Sequence, residues 1–366
     1  MARKLKPDNL LFLTTLVLVG VGVVMVYSAS VGLASERGGQ WNIFLLKQAV
    51  GAVAGVCGLL VLMRVDYRHY RKPVVIWTAL IGVIVLLVAV FFSRPVNGAR
   101  RWLFFGDVGV QPSELAKLAV ILFSAAILER RMDRINEDGY ALTPIAIVVA
   151  AVGGLILVEP DFGTAMAVGL IAGVMVFAAG LRFRYLLASV LVVLPALVAI
   201  IVNSPERLAR ALSFLFPEKD PLGDGYQLIQ SLIAVGTGGV WGTGLMEGVQ
   251  KLYFLPEPHT DFIYAVVAEE TGLLGTTAVL LCFCVIAWRG CRIALRAPDR
   301  FGAFLAVGLT TMVVLQAFIN INIVLGLLPT TGIPLPFVSA GGSSLLTSLI
   351  GMGVLLNVSQ HALAEP

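Results

Sequence analysis

The sequence is short of charge. Asp, Glu, Lys and Arg make up 13% of its 366 residues, against about a quarter in ordinary soluble domains. Hydrophobic residues supply 58%, and the mean hydropathy is +0.92. A water-soluble fold needs a charged surface, so that class is excluded. Alternating polarity is missing as well. The apolar runs are long and continuous, which excludes an outer-membrane barrel. Cysteine is scarce: Cys57, Cys282, Cys284 and Cys291 all lie in or beside apolar runs. None stands at a metal-ligand spacing from one of the three histidines, and Cys282 and Cys284 fall on different helix faces. They read as small core residues, neither a disulfide framework nor a metal site. No basic run interleaved with aromatics is present, so no nucleic-acid partner is expected.

What is there is a polytopic all-α membrane protein, expected as a single domain over residues 1–366. Runs of bilayer-spanning length fall at about 10–30, 44–63, 74–92, 112–130, 143–158, 163–181, 185–202, 262–288, 302–327 and 341–358, ten helices in all. The first follows Arg3, Lys4 and Lys6 and is too long for a signal-peptide core. It is therefore a retained span with a cytoplasmic N-terminus. The expected inner loops carry Arg64, Arg68, Arg71 and Lys72; then Arg130, Arg131 and Arg134; then Arg182 and Arg184; then Arg289, Arg292, Arg296 and Arg300. The outer connections at 159–161 and 328–336 carry no Lys or Arg. This is the positive-inside pattern, and an even span count puts the C-terminus in the cytoplasm too.

Two outer regions break the pattern. One is 94–111, with Arg94, Arg100 and Arg101. The other is the long loop of about 203–260 between the seventh and eighth spans, with Arg207, Arg210, Lys219 and Lys251. Cations kept on that side suggest an anionic ligand; alternatively, long loops translocate regardless of charge. Within the long loop, Tyr226–Ala234 has a helical amphipathic pattern. It reads as a helix lying at the membrane interface, and the glycines around Trp241 then make a tight turn where backbones or a ligand approach closely. Such a loop is usually functional.

The densest polar stretch runs from Gln250 to Glu270 and holds Lys251, Glu257, His259, Thr260 and Asp261. Pro256 and Pro258 keep the backbone from being helical before about Thr260. Asp261 thus stands at the first turn of a helix heading into the membrane, where an ionised carboxylate needs cations, donors or water. It reads either as a functional group or as a cap, with Glu269 and Glu270 then at a solvated turn. Pro112 suits a first helical turn, with Gln111 or Ser113 at hand for the free amides. Glu114 and Lys117, three apart, share a helix face: they either line a cavity below Arg101 or neutralise each other as a local pair. Glu159-Pro160-Asp161 is a turn that does not itself need two carboxylates. Leu328–Ser344, rich in Pro and Gly, is an irregular re-entry. Its Gly341-Gly342-Ser343-Ser344 either presents amides to an anion or packs as small residues between helices.

Together the pieces 97–102, 111–117, 159–164, 225–231, 250–270 and 328–344 resemble the SEDS family (shape, elongation, division and sporulation), which includes RodA, FtsW and SpoVE. The resemblance covers nearly the whole chain. It departs at Ala340, where the family has an aromatic residue, and at Thr271, where it has Leu. Met25–Ser30 and Glu159–Phe162 look like the FtsW and SpoVE side, which favours a division role. Gly332–Pro336 with Val338 leans toward RodA.

The resemblance implies a peptidoglycan glycosyltransferase in the bacterial cytoplasmic membrane. It would polymerise lipid II at the outer face, beside a class B penicillin-binding protein and other divisome or elongasome proteins. It implies Asp261 as the essential acidic residue. The chemistry agrees: joining a sugar 4-hydroxyl to an anomeric carbon needs a base, and undecaprenyl pyrophosphate leaves with growing negative charge that cations stabilise. Asp261 is the candidate base; Arg100, Arg101, Glu114, Lys117, Lys251, Glu257, His259 and Ser343 are candidate substrate-binding residues. No protein metal site is expected, and a divalent cation (Mg or Mn) would be shared with pyrophosphate. Two rivals remain at this point: a lipid II flippase, against which no inverted repeat with paired broken helices is found, and a scaffold without chemistry.

Overall fold

In a computed structural model the chain is described over residues 6–362, except 37–40, 97, 107, 138 and 224. Arg3, Lys4 and Asn97, used above, lie outside the described residues. In chain order the helices are α1 (Asn9–Glu36), α2 (Trp41–Leu62), α3 (Pro73–Val90), α4 (Pro112–Arg131), α5 (Leu142–Val158), α6 (Phe162–Ala178), α7 (Phe183–Val202), α8 (Pro205–Leu215), α9 (Tyr226–Gly238), α10 (Gln250–Tyr253), α11 (Ile263–Arg296), α12 (Arg300–Val324) and α13 (Gly342–Gln360). Ten of them coincide with the ten expected spans. By length and composition α1, α2, α3, α11, α12 and α13 can cross a membrane, and α5 and α6 are shorter apolar helices.

The bundle is arranged around α12 and α13. α12 packs on α4, α6, α11 and α13, and α13 also packs on α2. The apolar window of α13 is 83% buried and that of α12 67%, against 28% for α3. Sequence explains the order. α3 is almost wholly aliphatic and can face lipid, whereas α12 and α13 carry Gln316, Asn320, Thr347, Ser348 and Asn357, all buried. Polar side chains in a membrane protein turn inward, where other helices supply their partners.

At the end that carries the basic loops, the connections are tied to one another. Asp299 caps α12 through the Gly302 amide (2.7 Å) and accepts from the Tyr67 hydroxyl (2.7 Å). Arg289 of α11 meets Asp8 ahead of α1 at 2.6 Å, and Arg71 meets Glu129 at 2.9 Å.

Three features depart from the sequence reading. A small antiparallel hairpin, β1 (Leu103–Phe105) and β2 (Val108–Val110), joins α3 to α4. It is too short for period-2 patterning to register. Next, α8 was not anticipated inside the long loop. The third departure is α11, which is not one straight span: at Gly272 its backbone leaves helical geometry (φ 63°, ψ −160°).

The glycine-rich turn after α9 fills that break. Thr243 and Gly244 amides donate to the carbonyls of Glu269 (2.9 Å) and Glu270 (3.1 Å), while Leu273 and Leu274 amides donate to Gly239 (2.9 Å) and Val240 (3.3 Å). A broken membrane helix leaves backbone groups that cannot stay unpaired in hydrocarbon, and the turn supplies their partners. A Cβ on Gly272 would stand 2.4 Å from the Gly242 nitrogen, so only glycine fits. The break lies nine residues into α11, roughly 14 Å along its axis at 1.5 Å per residue. The turn is therefore re-entrant, and the close backbone approach expected of its glycines is made to α11. Glu269 and Glu270 do not sit at a solvated turn: both are buried, Glu269 accepting from the Val249 and Gln250 amides at the start of α10 and Glu270 from Met246.

Candidate functional site

The connections α3–α4, α5–α6, α7–α11 and α12–α13 meet at one end of the bundle, the end that basic-loop asymmetry marks as outer. Asp261 stands there, half-buried, two residues ahead of α11. The prolines before it act as expected: the chain forms only the short α10 and turns before α11 begins.

Burial pushes the Asp261 carboxyl up to about 6. The charge of Glu257 adds to that rise, Arg101 opposes it, and Asp161 and Arg210 contribute in opposite directions. Arg101 reaches across from the hairpin strand end to the α5–α6 turn, donating to the carbonyls of Glu159 and Pro160. Arg210 belongs to α8, whose Arg207 lies over the Phe162 ring at 5.8 Å. Two of the basic residues singled out in the sequence, Arg101 from one region and Arg210 from the other, thus act on one carboxylate. Arg100 instead donates to the Phe91 carbonyl at the end of α3.

Asp161 has a structural job that the sequence did not disclose. One oxygen caps α6 through the Thr164 amide (3.1 Å); the other accepts from Gln111 Nε2 (3.0 Å) and Ser113 Oγ (3.2 Å). Gln111 or Ser113 was expected to serve the free amides of α4; both side chains instead donate to Asp161, a buried carboxylate that needs donors. Next to it, Glu159 is 1% exposed, and neither of its carboxyl oxygens has a hydrogen-bond partner among the described residues. Burial, reinforced by Asp161 and opposed by Arg101, pushes Glu159 up to about 8.

Ser343, in the first turn of α13, accepts from the Gln111 amide at 3.0 Å and donates to the Gly109 carbonyl at 3.3 Å, joining the α13 N-terminus to the hairpin. His259 Nε2 lies 3.6 Å from Glu257, whose φ is +49°. Asp261, Arg101, Glu257, His259 and Ser343 therefore belong to one neighbourhood. Glu114 and Lys117 lie below it, buried and paired at 2.8 Å in the contact of α4 with α12. With the Gln316 amide turned so that its nitrogen donates to the Met312 carbonyl, its oxygen accepts from Lys117 at 2.6 Å. Lys251 is elsewhere. It is buried in an ion pair with Glu270 and donates to Ser28 Oγ at 2.7 Å, two helical turns down α11 from Asp261. Its charge is committed to the loop that fills the break.

In the sequence Gln111, Ser113, Glu159 and Asp161 were noted without a place in the site, and Asn320 and Ser339 behind Asp261 were not singled out. Asn320 in the α12 sequence ININIV was the available signal: an amide in an apolar span has to bond to something.

Among the described residues no three His, Cys, Asp or Glu side chains gather as a metal site. Asp261 and Asp161 could each offer one carboxylate to a cation whose other ligands come from a bound anion.

Compared with known proteins, residues 8–363 match the Cell cycle protein family that comprises FtsW, RodA and SpoVE. A probable peptidoglycan glycosyltransferase FtsW of Geobacter metallireducens is 42% identical over 98% of this chain and 96% of its own length. Stage V sporulation protein E of Bacillus subtilis is 42% identical over 98% of this chain and 99% of its own. Among solved structures, a chain of a peptidoglycan synthase complex that coordinates polymerization and crosslinking superposes with a TM-score of 0.78 at 29% identity, covering 96% of this chain and 97% of that one.

Proposed function

The chain belongs to the FtsW, RodA and SpoVE family of cell cycle proteins, and from that premise we propose that it is a peptidoglycan glycosyltransferase that polymerises lipid II at the outer face of the cytoplasmic membrane. One observation carries the reading. A carboxylate at the membrane boundary, raised by burial to about 6, feels one arginine from each of two loops on a side that should have few.

The reaction needs those parts. The acceptor 4-hydroxyl attacks the anomeric carbon of the donor sugar, and its proton goes to Asp261 as general base. The bond from that carbon to the undecaprenyl pyrophosphate oxygen breaks, and the pair of electrons leaves with the pyrophosphate. Arg101, with Arg207 and Arg210 on α8, can hold that growing charge, since preorganised cations in a poorly solvated site act most strongly. Direct displacement inverts the anomeric centre. Asp261 lies half-buried, between water and the bundle, which suits a base that must be ionised at neutral pH yet strong enough to take a proton. The pair Glu114–Lys117 would support the floor of the site. Where Mg or Mn takes part, it would be held chiefly by pyrophosphate oxygens, with Asp261 or Asp161 as the protein ligand, and would supply further charge neutralisation.

The partner proposed is a class B penicillin-binding protein, supported by the likeness to a chain from a polymerising and crosslinking complex. Relatives named FtsW and stage V sporulation protein E support a role on the division and sporulation side.

The test is lipid II polymerisation by purified protein in liposomes, with and without a cognate transpeptidase lacking its own glycosyltransferase domain. Asp261→Asn should lower glycan formation by about 10²- to 10⁴-fold while still binding the partner. Failure of both forms to make chains, together with movement of lipid II across the bilayer by the wild type, would instead identify a flippase.

A further inference from the structure

Behind Asp261 three successive carbonyls are gripped from one side. The carbonyl of His259 accepts from the Ala340 amide at 2.8 Å, that of Thr260 from Ser339 Oγ at 2.6 Å, and that of Asp261 from Asn320 Nδ2 at 2.8 Å. The donors come from α12 and from the loop that follows it. Ser339 Oγ is itself fixed, accepting the Leu335 amide at 2.8 Å.

Asn320 does a second thing: the same Nδ2 donates to the Ile333 carbonyl at 2.8 Å. Ile333 follows Gly332, whose absent Cβ would stand 3.6 Å from Asp261 Oδ2. One amide therefore ties the residue bearing the carboxylate to the loop facing it.

The geometry has a consequence for the carboxylate. The Thr260 carbonyl lies in the peptide plane before the Asp261 Cα, and the Asp261 carbonyl in the plane after it. A peptide unit is rigid, so holding both carbonyls holds both planes, and with them the direction of the Cα–Cβ bond. Asn320 is wholly buried, and its Oδ1 has no partner among the described residues. An aliphatic residue would remove that unpartnered oxygen but would also take the donor from the Asp261 and Ile333 carbonyls. The donor is what the position uses.

We propose that Asn320, seconded by Ser339, is a positioning residue that aims the Asp261 carboxylate at the reacting hydroxyl. This rests on the reading of Asp261 as base. Neither side chain need touch substrate.

The experiment compares full-length wild type, Asp261→Asn, Asn320→Leu, Asn320→Gln and Ser339→Ala, each with the cognate transpeptidase, for lipid II polymerisation and thermal melting. Asn320→Leu keeps the branched outline of the side chain and removes the donor. Its kcat should fall by roughly 10²-fold, as expected when a reacting group is misplaced by about 1 Å, with KM for lipid II close to wild type, while the two carbonyls left without a donor lower the melting temperature. Asn320→Gln, which keeps an amide donor, should recover part of that loss, and Ser339→Ala should lower kcat in the same direction. If Asn320→Leu turns over like wild type while Asp261→Asn is inactive, the positioning role is wrong and the base reading survives. A rise in KM at unchanged kcat would make Asn320 a substrate contact and overturn the proposal. Should Asn320→Leu not fold, Ser339→Ala with wild-type kcat overturns it equally. Asp261→Asn as active as wild type would remove the base reading itself, and the proposal with it.

Discussion

At the scale of the residue, the proposed chemistry turns on how Asp261 is charged. Its working form as a base is the ionised one. With its carboxyl raised to about 6, the rate should be level above neutrality and fall as pH drops through about 6. The neighbours give this limb a sign that can be checked. Arg101 favours the ionised form, so Arg101→Gln should move the acid limb to higher pH. Glu257 disfavours it, so Glu257→Gln should move the limb to lower pH. A pH–rate profile of glycan formation for the three proteins measures both. Shifts in the same direction, or a limb indifferent to both changes, would mean that another group sets it.

At the scale of the element, α11 is two segments joined at Gly272, with the re-entrant turn of residues 239–244 bonded into the joint. Three glycines make the approach possible. A Cβ on Gly238 or Gly242 would stand 1.9 or 2.1 Å from the carbonyl oxygen of Ala268 or Glu270, and Gly272 meets the turn from the other side. Gly272→Ala combines such an overlap with a left-handed φ. It should cost about 3 kcal/mol or more, read as a clear drop in melting temperature in detergent. A melting temperature equal to wild type would show that the turn does not occupy the break. The buried Lys251–Glu270 pair belongs to the same joint: a cation in that place is retained by its partner and by Ser28, since an unpaired charge there would be very costly.

At the scale of the whole molecule, the helices sort by polarity from the inside outward: α13 and α12, with their amides and hydroxyls, at the centre, and α3 toward lipid. The alternation of loops then sends every connection that contributes to the Asp261 neighbourhood to one face. The proposed orientation predicts labelling from opposite sides. In a chain whose four cysteines are replaced by serine, Leu222→Cys between α8 and α9 should react with a membrane-impermeant thiol reagent on intact spheroplasts. Leu295→Cys at the far end of α11 should react only after permeabilisation. Both positions are well exposed, at 87% and 88%. The opposite pattern would invert the protein and place the site in the cytoplasm.

Much of this was legible in the amino-acid order, because a bilayer imposes strict local rules. Twenty apolar residues in a row can do little but span, so the ten spans were countable, and the proline pair before Asp261 set where α11 could begin. The arginines at 101, 207 and 210 stood out because they violate a charge asymmetry that needs no structure to see. Tertiary structure decided what depends on contacts between residues far apart in sequence. It took Lys251 to Glu270 and away from the Asp261 neighbourhood, turned Gln111 and Ser113 from helix caps into ligands of Asp161, and broke α11 at a glycine whose neighbour lies some thirty residues earlier. It also brought Asn320 and Ser339 to the back of Asp261 from 59 and 78 residues away. Buried polar groups must find partners, but a linear pattern states only the need; the fold chooses the partner.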